Sequence, residues 1–355
     1  MNFTQPISTL RREGDHVLIL DQTVLPHRRE TRALSTLEDV AHAIRSMQVR
    51  GAPLIGATAA FGVAIAMRER ADDARLAEAL TVLGATRPTA VNLHWALARM
   101  RARLTPLPPA ERLQAAWDEA TAIAADDART CAAIGEHGLA LLRTLASRRR
   151  GPLRVMTHCN AGWIATCGAG TALAPVYAAH AAGLAVDVWV SETRPRNQGL
   201  LTAWELAQAG VNHTLIADNA AGILLARGEV DVVITGADRV AANGDTANKV
   251  GTYLKALAAK DNDVPFYIAA PLSTLDFDCP DASAIPIEDR GAEEVLHIEG
   301  TAPDGQPAGV RLAPASTAAA NPAFDVTPAR LIAGILTEHG LFAPAALDSL
   351  REHRP

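Results

Sequence analysis

A chain of 355 residues, 49% hydrophobic and 20% charged, can bury a sizeable core in one large or two ordinary domains. A net charge of −6 leaves no overall basic footprint, which argues against nucleic acid or an acidic membrane surface as partner. Four cysteines without a CxxC pair suit free thiols in a reducing compartment rather than a zinc or redox site.

The amino-terminal stretch MNFTQPISTLRREGD lacks the apolar run of roughly 7–15 residues that a secretory signal needs. The apolar segment from Ala57 to Met67 is about half the length of a bilayer span, so a cytoplasmic protein is expected. Val17-Leu18-Ile19-Leu20 reads as a strand. Leu37 to Met47 has helical spacing, with Ser35 or Thr36 as its cap. Gly51-Ala52-Pro53 breaks that pattern, and an Ala-rich helix is expected from about Ala57. A further break at Thr86-Arg87-Pro88-Thr89 precedes the helix that holds Trp95 and Leu97. Two long Ala/Leu/Arg helices then run to Arg148-Arg149-Arg150, and Gly151-Pro152 marks a domain boundary. Residues 1–150 are thus expected to form a mostly helical domain, and 151–355 a second one.

Past that boundary, short β-branched runs alternate with helical segments. The runs are LRVMT (153–157), LAVDVWV (184–190), HTLIA (213–217), DVVIT (231–235) and PFYIA (265–269), with helices around 165–182, 200–209, 219–227 and 246–260. This pattern predicts an α/β, Rossmann-like doubly wound parallel sheet. Ligands of such sheets sit beyond the carboxyl ends of the strands. His158-Cys159-Asn160, Ser191-Glu192-Thr193-Arg194, Asp218-Asn219, Gly236-Ala237-Asp238-Arg239 and Ala270-Pro271 fall there, with the helical domain as a lid or wall.

Free cysteine is usually a buried packing residue. Cys159, at a strand end and ahead of an expected helix, can also have its thiolate stabilised by the helix amino terminus. His158 is adjacent on the strand and so points to the other face. Asp238 is either a turn residue paired with Arg239 at the surface or a functional carboxylate, and Asp218-Asn219 looks like a helix cap. Within TGADRVAANGDTANKVGTY (235–253), Asp245 is a credible N-cap that would put Asn248 and Lys249 in a first helical turn. A cation there opposes the helix dipole unless a phosphate binds. Of 33 basic residues only Lys249, Lys255 and Lys260 are lysines, so a lysine retained against that bias is of interest.

CGAGTAL (167–173) has Gly-x-Gly inside a predicted helix, which fails as a dinucleotide fingerprint, so no NAD and no other cofactor or metal is expected. Gly168 and Gly170 serve close helix packing instead. Arg50 and Arg87 sit on helix-breaking turns and suit an anion clamp. Glu192 and Arg194 can form an ion pair, and Gln198 is a hydrogen-bonding candidate. NPAFDVTPARLI (321–332) reads as capping chemistry, with Asp325 or Thr327 as the cap.

Together these segments resemble the S-methyl-5-thioribose-1-phosphate isomerases, a family related to regulatory subunits of the eukaryotic translation-initiation exchange factor. The resemblance runs through LDQTVLP (20–26), VRGAPLIG (49–56), TRPTAVNL (86–93), THCNAG (157–162), ETRPRNQG (192–199), LTAWEL (201–206), GADRVAANGDTANKVGTY (236–253), IPIEDR (285–290) and NPAFDVTP (321–328). It implies that Cys159 and Asp238 are catalytic and that Arg50, Gly51, Ala52, Arg87, Gln198, Asn248 and Lys249 bind the sugar phosphate. After Gln198-Gly199 the family carries Ala-Arg before Leu-Thr-Ala, whereas Leu200-Leu201-Thr202 follows here. Trp163-Ile164 is also bulkier than the family pattern.

The implied reaction is an aldose–ketose isomerisation of 5-methylthioribose 1-phosphate to 5-methylthioribulose 1-phosphate in methionine salvage. Asp238 would be the acid, and Cys159 either a base at carbon or part of a wall that favours hydride transfer. Alternatives are an isomerase of 5-deoxyribose 1-phosphate or another pentose 1-phosphate, and a non-catalytic regulatory subunit, which should lack the Cys159/Asp238 pair. A cysteine-nucleophile hydrolase needs a base that His158, facing away, does not offer. The resemblance also implies a homodimer.

Overall fold

The computed structural model describes residues 7–353, so the first six residues of the amino-terminal stretch lie outside the described residues. Three antiparallel strands come first: β1 (Leu10–Glu13), β2 (His16–Leu20) and β3 (Thr31–Leu34). Only β2 is legible as an apolar run, because LRRE and TRAL turn most of their side chains to solvent. Five helices follow: α1 (Leu37–Arg45), α2 (Ala52–Glu69), α3 (Asp73–Gly84), α4 (Val91–Leu104) and α5 (Pro109–Ala146). Thr36 caps α1 in a reciprocal box. Its Oγ1 accepts from the Asp39 N–H at 3.0 Å, and the Asp39 carboxylate accepts from the Thr36 N–H at 2.9 Å.

Helix α2 is apolar on every side and buried from Leu54 to Met67, so α1, α3, α4 and α5 pack around it. Each fully buried Leu, Ile, Val or Phe there contributes roughly 1.5–3 kcal/mol. The helix starts at Ala52, not Ala57. Gly51 permits this, because its φ is +93° and a Cβ there would lie 2.4 Å from the Ala165 carbonyl oxygen. Where two helices were expected before residue 150, α5 is a single helix of 38 residues. It packs on α2 and α4 at one end and on α6 (Ala174–Ala181) at the other.

The remaining elements are β4 (Leu153–Thr157), β5 (Val186–Ser191), α7 (Gln198–Gln208), β6 (Asn212–Ile216), α8 (Ala220–Ala226), β7 (Val232–Thr235), β8 (Arg239–Ala241), β9 (Thr246–Lys249), α9 (Thr252–Asp261), β10 (Phe266–Ala269), β11 (Leu275–Asp276), α10 (Glu293–Leu296), β12 (His297–Thr301), β13 (Pro307–Arg311), β14 (Phe324–Thr327), β15 (Gly334–Thr337) and β16 (Gly340–Phe342). A seven-stranded sheet has the order β16-β15-β10-β7-β4-β5-β6, parallel throughout except for the β15–β16 hairpin. The chain runs outward from β4 through β5 to β6, then returns to β7 on the other side of β4. The topological switch point therefore lies between β4 and β7, where such sheets bind ligands.

Several expectations change. The pattern read as a helix over 165–182 is helical only in α6, and irregular backbone follows β4, so no helix amino terminus lies directly after Cys159. The helix expected over 246–260 begins at Thr252. Asn248 and Lys249 sit on β9 instead, paired antiparallel with β14. Asp245 accepts from the N–H groups of Ala282 and Ala329, so it ties loops together and caps nothing in α9. Asp325 takes the capping place, accepting from Gly251 N–H at 2.6 Å and Tyr253 N–H at 3.1 Å. Local pattern could not reveal this, since the partner lies more than 70 residues away.

Candidate active site

Cys159 follows β4 and Asp238 follows β7, so the two flank the switch point on adjacent strands. In chain order β5 and β6 lie between them. Between them opens a cavity whose walls include Arg50, Gly51, Ala52, Arg87, Gln198, Asn248 and Lys249, so it gathers all nine residues singled out above.

The Cys159 backbone has φ +63°, an uncommon left-handed conformation for a side chain other than glycine. Two threonines pin it there. The Cys159 N–H donates to Thr193 Oγ1 at 2.8 Å, and Thr202 Oγ1 donates to the Cys159 carbonyl at 2.7 Å. Thr193 is itself left-handed at φ +65° and is anchored by Asp218, which accepts from the Thr193 and Arg194 N–H groups. Asp218 is thus a loop anchor and not a helix cap. Buried Lys255 lies 3.8 Å from it, which gives one of the three lysines a structural use.

The next residues hang on Glu205, fully buried on α7. Its carboxylate accepts from Asn160 Nδ2 at 2.8 Å, Trp163 N–H at 2.9 Å, Ile164 N–H at 3.0 Å and Tyr177 Oη at 2.8 Å. Burial pushes its pKa up to about 7 against the pull of those donors. Gly162 makes the approach possible, since a Cβ there would sit 1.7 Å from the carboxylate. Asn160 completes the link by accepting from Arg50 Nη2. Trp163 and Ile164, the bulky departures, point into the core, Trp163 against Trp204 at 5.5 Å, and not into the cavity.

Two helices aim bare amino termini at the cavity. Neither Gly51 of α2 nor Ala90 of α4 supplies a side-chain cap, and no acidic residue stands in either first turn. Free N–H groups and the positive dipole end make each an anion site. Lys249 is not in a helix end, and the uncapped helix end beside the cavity is that of α2, at Gly51 and Ala52. Lys249 adds a charge from β9, with its Nζ donating to the Ala323 carbonyl at 2.8 Å and lying 4.5 Å from the Phe324 ring centroid.

Burial and the neighbouring cations act in opposite directions on the two acids of the cavity. Burial raises the pKa of Asp238, opposed by Lys249, Arg87, Arg290 and Arg50. Its neighbour Arg239 pairs with Asp276 at 3.1 Å, not with Asp238. Burial likewise raises the Cys159 thiol, with Arg50 and Lys249 pulling it down. His158 is fully buried, and its Nε2 lies 2.8 Å from the Val250 carbonyl, which only an N–H satisfies. Burial and Lys255 hold its pKa down to about 3, so the ring is a neutral strut, with its Nδ1 3.4 Å from the Thr193 hydroxyl.

Residues 48–344 match the initiation factor 2 subunit family. The methylthioribose-1-phosphate isomerase of Dechloromonas aromatica is 62% identical over 347 residues, which span 97% of this chain and 96% of that protein. The isomerase of the same name from Acidiphilium cryptum is 59% identical over 92% of this chain and 89% of its own length. The chain belongs to the methylthioribose-1-phosphate isomerase family. The fold agrees: the crystal structure of 5-methylthioribose 1-phosphate isomerase from Pyrococcus horikoshii superimposes with a TM-score of 0.84, 38% identity and coverage of 98% of this chain and 96% of that one. The delta subunit of translation initiation factor eIF-2B from A. fulgidus follows at 0.78 and 36% identity, covering 95% and 96%.

Membership in this family gives the nine residues a common context, and the cavity adds others that the sequence did not single out. Arg290 reaches the cavity from the IPIEDR segment, held by Glu288 at 3.2 Å and set 5.6 Å over Phe324. Phe324 thus carries two cations, Lys249 and Arg290, on its ring. A Phe–Asp pair in a segment that reads as capping gives no hint of this. Glu205 was hidden in LTAWEL, where an acid three residues after Thr202 on a helix reads as surface charge. The Glu192–Arg194 pair does not form. Arg194 donates to the carbonyls of Pro195 at 2.7 Å and Val295 at 2.9 Å, fixing the 192–199 loop to α10.

Proposed function

We propose that the chain converts 5-methylthioribose 1-phosphate to 5-methylthioribulose 1-phosphate, a step of methionine salvage. The observation that carries this is the pairing of Cys159 with Asp238 across the switch point, in a cavity ringed by Arg50, Arg87, Lys249 and Arg290 and by two uncapped helix ends. Phosphate on the anomeric oxygen blocks ordinary ring opening, so an acid must protonate the ring oxygen. Asp238, whose burial raises its pKa and so favours the protonated form, takes that role. A hydrogen then moves from C2 to C1, and the Asp238 carboxylate accepts the proton of the C2 hydroxyl, which restores the acid.

Cys159 fits the hydride route. Burial favours its protonated thiol, His158 Nε2 is committed to the Val250 carbonyl, and its thiol lines the cavity beside Asp238. Arg50, Gly51, Ala52, Arg87, Gln198, Asn248 and Lys249 bind substrate, the cations and helix ends taking the phosphate and so turning remote binding energy into orientation. Residues 1–150 supply the phosphate-binding turns and 151–355 the chemistry. The same proposal places the protein in the cytoplasm as a homodimer. Isomerases of 5-deoxyribose 1-phosphate or another pentose 1-phosphate would share this chemistry. A purely regulatory role, suggested by the eIF-2B likeness, leaves the Cys159/Asp238 pair without a use.

Steady-state kinetics of Asp238→Asn and Cys159→Ser test the assignments. Asp238→Asn lowers kcat by roughly 10²–10⁴-fold, as loss of a general acid does. Near-normal turnover would remove the acid role, and full activity in Cys159→Ser would return the thiol to structure. Complete incorporation of solvent deuterium into product would exclude the hydride route.

A further inference from the structure

Beside the catalytic cavity, about 110 Å³, lies a second chamber of about 590 Å³, roughly five times larger, and the two share Met47, Arg50 and Gln198 as walls. It is closed by the 22–27 segment, the start of α7 and the segment from α10 into β12. Two features mark it as a built site. Leu25, Pro26, Met47, Leu200, Leu201 and Ile298 line it with apolar surface. Buried polar atoms without partners also stand on its walls: Gln22 Oε1, Asn197 Oδ1, Gln198 Oε1 and Arg50 Nε.

Charge fixes which end of a sugar phosphate faces this chamber. The helix ends of α2 and α4 and the cations Arg87, Lys249 and Arg290 belong to the catalytic cavity, whereas Glu293, Glu294 and Glu299 rim the second chamber and outnumber its cations Arg196, which pairs with Glu294, and the shared Arg50. Phosphate is drawn to the first and repelled from the second, which leaves C5 of the sugar pointing at the apolar wall. We infer that this chamber is the subsite for the C5 substituent, and that the chain accepts apolar C5 substituents longer than methylthio. The inference rests on the isomerase proposal above.

The test is kcat/KM of the parent protein for 5-deoxy-, 5-methylthio- and 5-butylthioribose 1-phosphate, repeated with Leu200→Trp and, from the facing wall, Ile298→Trp, each checked for a native melting transition. A sealed pocket rejects each added methylene by roughly 10–200-fold, so a parent value for butylthio within about tenfold of methylthio is the expected result. In at least one folded tryptophan variant the butylthio to 5-deoxy ratio falls about tenfold or more. A parent that isomerises the methylthio compound but loses more than about tenfold on butylthio overturns the inference alone, as do folded variants with an unchanged ratio. A parent inert toward every pentose 1-phosphate overturns the isomerase proposal first and this inference with it.

Discussion

Cys159 and Thr193 are left-handed residues from different strand ends, joined by a hydrogen bond from one backbone to the other's side chain. Each such conformation costs on the order of 1–3 kcal/mol and persists where surrounding structure over-determines it. Here Thr202, Asp218 and, behind it, Lys255 supply that structure. The strain aims the thiol into the cavity, so the Thr193 hydroxyl is a positioning group. Thr193→Val keeps the shape and deletes the acceptor, and it is expected to lower kcat about tenfold or more while KM changes little. Thr193→Ser should restore most of the loss. Equal losses in both variants, or a fall confined to thermal stability, would show that the hydroxyl does not position Cys159.

At the scale of elements, α7 holds the loop after β4 through one carboxylate. Glu205 has a raised pKa, about 7 when folded, above an unfolded value near 4.5. Its protonated form is therefore favoured by the folded state, and the stability this gives is lost as pH rises through about 7. Relative to Glu205→Gln, the parent is expected to lose about 1 kcal/mol of unfolding free energy between pH 6.5 and 8. Denaturant titrations at those two pH values check this, and an unchanged difference would mean that Glu205 ionises freely in the fold. Strand–helix alternation was legible in the sequence because β4, β5, β7 and β10 are buried, β-branched runs bounded by turns. The strand TANK was not, since Thr246–Lys249 has no apolar run and exists through pairing with Phe324–Thr327 far along the chain. For the same reason Cys159, Asp238 and the cation turns could be named in advance, whereas Arg290, Phe324 and Glu205 reach their roles through contacts that sequence spacing does not encode.

For the whole molecule, the sheet ends in the edge strand β6, where Leu215 is 43% exposed; α8 after it exposes Ile223 at 51%, and α9, packed on α8, exposes Leu254 at 61%. Exposed apolar side chains on a sheet edge and on these helices fit the proposed homodimer. Sedimentation equilibrium at micromolar concentration should give a dimer mass, and a monomer would contradict it. No helix among the described residues is long and apolar enough to cross a membrane. Helix α5 joins the two parts by packing on α2 and α4 and on α6, and the cavity lies where the amino termini of α2 and α4 meet the ends of β4 and β7. On the proposed function, Arg50 and Arg87 from the first part of the chain and Lys249 and Arg290 from the second share the phosphate, beside Cys159 and Asp238. The most direct test is to follow the purified protein by NMR with 5-methylthioribose 1-phosphate, 5-deoxyribose 1-phosphate and ribose 1-phosphate, comparing kcat/KM for each. The account predicts conversion to the ketose, with the methylthio compound preferred. Failure to isomerise it, or a clear preference for ribose 1-phosphate, would contradict the account.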